Sequence, residues 1–213
     1  PSALLTFLAT FFRLEHELFA SPLDRCHAFP HYWSLFPSDS SFSAGVNAYS
    51  WHWRGRCYMN PAPAADYQTK ALRWALESVR INSTPVAIFF LSASSPSTAT
   101  RLHELKNDPH VTTLATFKGR AGPSSAGGAF TFSSPPGIAP PDSHSAGARM
   151  DLLLISNELG FSETMARSSL HHDWDRFRRG LTNICKTLRW HPPSFPPPSP
   201  PLHRQRAALT PFR

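Results

Sequence analysis

At 213 residues the chain has room for one domain of ordinary size plus an appendage. Twenty-one Lys and Arg against 14 Asp and Glu leave a formal charge of +7, which favours an anionic partner such as nucleic acid. Three cysteines at unrelated spacings (Cys26, Cys57, Cys185) exclude a disulfide scaffold or a cysteine zinc site and lead us to expect a reducing compartment, and no apolar run approaches the roughly 20 residues that span a bilayer.

The chain opens on Pro1 rather than Met, so a piece of a longer polypeptide is expected. Leu4, Leu5, Leu8, Phe11 and Phe12 recur at helical spacing and predict a helix over 2–12. The segment is apolar enough to imitate a signal peptide, but no basic stretch precedes it, and an amphipathic docking helix is the better reading. A short strand is expected at 16–19. A long polar and aromatic connection follows, with a possible strand at 46–49. Residues 56–59 read as a strand that feeds the turn Asn60-Pro61-Ala62-Pro63. From 64 to 80, Tyr67, Ala71, Leu72, Ala75, Leu76 and Val79 fit one helix face. The run at 86–91 (VAIFFL) is continuously apolar, as expected of a strand buried on both faces. A short helix at 98–106 and strands at 111–117, 129–132 and 150–156 complete the pattern. Residues 119–147 are otherwise rich in Gly, Ser, Ala and Pro. Strand and helix in alternation predict a three-layer α/β sandwich with a mostly parallel sheet, the last strands lying close enough to pair antiparallel.

Toward the end, Trp174, Phe177, Leu181, Ile184 and Leu188 form an apolar stripe. Arg167, Arg176, Arg178, Arg179, Lys186 and Arg189 lie in the same helix and its end. A docked amphipathic helix with a basic outer face is expected over 161–191. The run at 192–201 (PPSFPPPSPP) is low-complexity and polyproline-II-like, and a basic terminus with Arg204, Arg206 and Arg213 follows it. Everything after about Pro192 is set outside the fold. This tail suits a protein partner of the SH3 or WW type, or a plain linker.

In an open α/β sheet, ligands bind beyond the carboxyl ends of the strands. Asn60 and Pro61 are expected there, where a side-chain carbonyl and a backbone carbonyl can face one amino group. An ordinary turn ending a strand gives the same residues. His171, His172 and Asp175 lack a further ligand at metal-site spacing. Trp51, Trp53 and Tyr58 suit either base stacking or packing, with packing preferred. Gly119–Gly122 and Gly127-Gly128 have neither the helix nor the Gly-Lys-Ser/Thr of a phosphate loop.

Taken together, Glu17-Leu18-Phe19-Ala20-Ser21-Pro22, Phe29-Pro30-His31-Tyr32-Trp33, Asn47-Ala48 and Trp53-Arg54-Gly55-Arg56-Cys57-Tyr58-Met59-Asn60-Pro61 follow a known order. Over roughly residues 15–157 this resembles the phage-type Dam family of DNA adenine methyltransferases. That pattern runs Asp-Ala-Ala-Ala-Ser-Pro, Cys-Pro-Arg-Tyr-Phe, Asp-Ala, Trp-x-Gly-Arg-x-x-x-Asn-Pro-Pro-Tyr. Residues 1–22 are more similar still to the variant found in DIRS-type retroelements, and a cap-adenosine methyltransferase is a more distant likeness.

The resemblance implies a Rossmann-like methyltransferase fold over 15–160; the residues themselves add a docking helix at 1–14, a basic helix at 161–191 and a Pro-rich basic disordered tail at 192–213. The resemblance also implies S-adenosylmethionine as cofactor, with Glu17, Ala20, Ser21 and Asn47 lining its site and Asn60 and Pro61 presenting the adenine amine for methylation. The partner implied is nucleic acid, DNA in preference to RNA, in an intracellular setting, nuclear or cytoplasmic. Ala62 and Pro63 replace the second proline and the aromatic of the family turn, and Asn47 stands for an aspartate. Three outcomes stay open: an active enzyme; a decayed, non-enzymatic module from a retroelement polyprotein that binds nucleic acid or another protein; or a fold or function unrelated to either.

Overall fold

The computed structural model describes residues 2–22, 25–34, 36–61, 65–94, 104–118, 149–167, 170–188 and 190–196. Its centre is β5 (Val86–Ser94), whose apolar side chains from Val86 to Leu91 are all buried, as the unbroken VAIFFL run requires of a strand covered on both faces. The other strands are β1 (His16–Leu18), β2 (His31–Ser34), β3 (Gly45–Val46), β4 (Gly55–Met59), β6 (Val111–Lys118) and β7 (Arg149–Ser156). They form one sheet in the order β3-β2-β1-β4-β5-β7-β6. The first five in space are mutually parallel, and β7 runs antiparallel to both β5 and β6. The expectation of an α/β sandwich with a mostly parallel sheet and antiparallel last strands is met, and the architecture is compatible with a Rossmann-like fold. The strand order reverses between β1 and β4, which makes that gap the topological switch point.

The helices are α1 (Ser2–Phe12), α2 (Ala65–Ile81), α3 (Glu158–Arg167) and α4 (Leu170–Thr187). Alternation along the strands sends Tyr58, Phe89, Leu152 and Leu154 to one face, where they meet Leu4, Leu8 and Phe12 of α1 and Phe177 and Leu181 of α4. Met59, Ile88, Phe90 and Leu153 go to the other face, against Ala71, Leu72, Ala75, Leu76 and Val79 of α2. A helix thus lies on each side of the sheet, and the stripe expected of α2 is buried except for Tyr67, which is 60% exposed. Among the described residues, no helix is long and apolar enough to cross a membrane.

Several expectations are corrected. His31–Ser34, read as connection, is a strand of the sheet. The strand expected at 46–49 ends at Val46, because Asn47 adopts φ 58 and caps a 3-10 turn at Ala48–Ser50. The basic helix expected at 161–191 starts earlier and is two helices. Asn157 begins it: its Oδ1 accepts the N–H groups of Gly160 (2.8 Å) and Val86 (3.1 Å), while its amide donates to Thr84 O at 2.7 Å. The fold also extends past Pro192. Thr116 and Ser194 exchange two backbone hydrogen bonds (2.8 and 2.9 Å), so 190–196 lies along edge strand β6, with Pro193 buried. Glu104–Lys106 is helical, whereas the rest of the expected helix at 98–106 and the expected strand at 129–132 lie outside the described residues.

Candidate functional site

Glu17 lies in β1 in register with Tyr32 of β2 and Tyr58 of β4, so the three side chains form a row on one face. Glu17 is 6% exposed, and its Oε2 accepts the Cys26 N–H at 2.7 Å, which folds the β1–β2 connection over that row. The Tyr58 hydroxyl is fully buried and finds no hydrogen-bond partner among the described residues. Burial, then the Glu17 and Cys26 charges, push its pKa far above the ordinary phenol range.

Just beyond β1 the chain turns sharply. Phe19 takes φ 64, a left-handed conformation that costs a non-glycine residue about 1–2 kcal/mol. Its ring packs on Tyr49 (5.1 Å) and Trp53 (5.8 Å), which offsets that strain. The turn lets Ala20 N–H donate to Trp33 O at 3.0 Å, and Ser21 O then accepts the Arg25 N–H at 2.9 Å. Bulky residues held left-handed at a strand end are a mark of functional sites.

On the neighbouring strand, Met59 pairs with Leu18, so Asn60 and Pro61 leave the sheet beside the exit of β1. Asn60 is exposed and Pro61 is buried; Ala62 and Pro63 lie outside the described residues. Glu17, Ala20, Ser21, Asn60 and Pro61 therefore share the β1/β4 switch point. Asn47 does not join them closely. It ends β3, three strand spacings or about 14 Å from β4, and its Oδ1 accepts the Tyr49 N–H at 3.2 Å.

Of the aromatics available to stack on a base, Tyr58 is buried and Trp33 is stacked on Trp51 at 4.8 Å. Tyr67, in the first turn of α2, is 60% exposed. Two further exposed rings escaped sequence reasoning: Phe36 and Phe42. Their loop leaves β2 after Ser34 and returns at Gly45, which pairs back to Trp33, so it projects beyond the carboxyl edge. Their only trace in the sequence is two apolar residues in a Ser-rich stretch.

Trp53 is fully buried, with Nε1 donating to Ala48 O at 2.7 Å, so with Tyr58 it is packing rather than a stacking platform. The side chains of His171 and His172 lie outside the described residues, and among the described residues no group of His, Cys, Asp and Glu could hold a metal ion. Cys26, Cys57 and Cys185 are buried free thiols. Among the described residues, two cavities lie away from the carboxyl edge. One, of about 270 Å³, sits at the amino edge around Glu15, Arg56 and Glu163, where Arg56 bridges the two acids. The other, of about 540 Å³, is a groove between α4 and 190–196.

No protein-family model matches the chain, and no curated protein matches it.

Proposed function

We propose that the chain is an S-adenosylmethionine-dependent adenine-N6 methyltransferase-like domain that acts on or binds nucleic acid, with a retroelement polyprotein as its origin. The observation that carries this reading is the placing of a buried acid on β1 beside the exit of β4, with Asn60 exposed and Pro61 buried, at the point where the strand order reverses. The sheet supports it as well. Its parallel order is that of a dinucleotide-binding fold up to β5, and an antiparallel β7 then enters between β5 and β6. The resemblance implies a Rossmann-like sandwich with a mostly parallel sheet, with which this architecture is compatible.

The residues fit the cofactor by charge and by an orphaned polar atom. Glu17 sets a carboxylate at the switch point, suited to a hydroxyl or ammonium group, and the Tyr58 hydroxyl, which has no hydrogen-bond partner among the described residues, lies in the same row. S-adenosylmethionine supplies a methyl group already activated on a sulfonium. What remains for the chain is positioning. The Asn60 side-chain carbonyl and the Pro61 backbone carbonyl accept the two N–H bonds of the adenine amine and hold its lone pair in line. The base reaches them flipped out of its stack.

Titration calorimetry with S-adenosylmethionine, followed by transfer of labelled methyl to adenine-containing DNA, tests the reading. Binding lost in Glu17→Ala, and transfer lost in Asn60→Ala with binding kept, is the expected outcome. A folded wild-type chain that neither binds the cofactor nor transfers methyl overturns the enzyme. Salt-sensitive DNA binding in that same chain supports the non-enzymatic module, which the replacement of the turn's second proline and aromatic by Ala62 and Pro63 favours.

A further inference from the structure

We propose that the groove between α4 and residues 190–196 binds the sugar–phosphate backbone of a nucleic acid. This goes beyond the cofactor reading and does not depend on it. The groove is lined on its helical side by Arg178, Arg179, Thr182, Asn183 and Lys186, with Asp175 at one end. These positions recur at three- and four-residue spacing, so they form one stripe about 12 Å long on the helix. The stripe lies opposite the buried Phe177, Leu181 and Cys185, which leaves the charges no role in the core.

The remaining wall is Pro193 and Phe195, fixed by the Thr116–Ser194 pairing to β6. Phe195 also positions a cation, since the Arg178 guanidinium lies 5.1 Å from its ring centroid. A guanidinium held over a ring is ordered before any ligand arrives, which lowers the entropy lost on binding.

Elsewhere in the fold three cations are held in ion pairs: Arg56 with Glu15 and Glu163, Arg80 with Asp108, and Lys106 with Asp151. Among the described residues, no carboxylate lies in ion-pair distance of Arg178, Arg179 or Lys186. Three unmatched cations in a row, with hydroxyl and amide donors between them, suit repeated anions along a strand. A concave channel between two walls suits a narrow chain better than a flat lipid surface.

The test is fluorescence anisotropy with a labelled 20-nucleotide single strand and its duplex across a sodium chloride series. In the triple variant R178Q/R179Q/K186Q the slope of log affinity against log salt should fall by about 2–3, close to one per lost phosphate contact. Affinity near 0.1 M salt should fall at least tenfold. Because the three side chains are exposed, the melting curve should stay put, and cofactor titration should not change. A control pair, R54Q/R73Q, replaces two exposed cations outside the groove and should keep the wild-type slope. Equal slopes for wild type and triple variant overturn the proposal. So does the same loss in the control pair, or equal, variant-sensitive binding of polyglutamate or anionic phosphatidylserine vesicles. Loss of nucleic-acid binding with intact cofactor binding separates this groove from the switch-point site.

Discussion

Glu17 Oε2 and the backbone N–H of Cys26 meet at 2.7 Å, although nine residues separate them. The bond ties the connection leaving β1 back onto the strand it left, and it is buried. Glu17→Ala strands that N–H without an acceptor and should cost about 1.5–3 kcal/mol, the range for a hydrogen bond to a charged group. Glu17→Gln keeps an acceptor and should cost less. Urea unfolding of the three chains measures this, and an unchanged midpoint in Glu17→Ala would show that the bond contributes nothing.

The adjoining Tyr58 leads to the opposite expectation. Its hydroxyl is buried with no hydrogen-bond partner among the described residues, and an unsatisfied polar group costs about 1–3 kcal/mol. Tyr58→Phe deletes that group and keeps the ring against Phe29, 5.7 Å away. We therefore expect a gain of about 1 kcal/mol in stability. A loss would mean that the hydroxyl is satisfied by water or by a ligand in the native protein.

His16 makes stability depend on pH. Its pKa lies below the ordinary imidazole value of 6.5, chiefly from burial, then from nearby His31, with Glu15 acting the other way. Below about pH 6.5 the unfolded chain therefore holds more protons at this site than the folded one. The stability is fully present above pH 6.5 and is lost as pH falls from there through the lower folded-state value. One proton limits the slope to about 1.4 kcal/mol per pH unit. Unfolding from pH 7.5 to 5 should be steeper for wild type than for His16→Phe, and parallel profiles would remove His16 as the cause.

Much of this fold can be read in the chain where a period is long enough to register. Ala71, Leu72, Ala75, Leu76 and Val79 mark the buried face of α2, and VAIFFL marks the central strand. β2 and β3 have four and two residues, too few for alternation to show. Ser194 joins the sheet only because β6 offers an open edge, which a Pro-rich run does not announce. Gly160 is similar. A Cβ there would lie 2.0 Å from Val86 O, a close approach between elements far apart in sequence. At the site, Asn60-Pro61 is legible as a strand exit. The burial of Glu17 is not, since it depends on where Cys26 folds.

The exposed ring closest in sequence to that exit is Tyr67, six residues after Pro61 and in the first turn of α2. If the Asn60–Pro61 exit holds a flipped adenine, a planar group must cover the base, and the aromatic that the adenine methyltransferases it resembles carry at that turn is absent. Tyr67 is then the nearest substitute. Base–aromatic stacking is worth about 1–3 kcal/mol, so Tyr67→Ala should raise the KM for adenine-containing DNA by about 5- to 150-fold, with Tyr67→Phe near wild type. Asn60→Ala should act differently, abolishing kcat while moving stability by no more than about 0.5 kcal/mol, because the side chain is exposed. Steady-state methyl transfer with the three variants reads both effects. Should Asn60→Ala lose turnover while Tyr67→Ala keeps its KM, the stacking role passes to the projecting loop, where Phe36 and Phe42 stand 58% and 74% exposed.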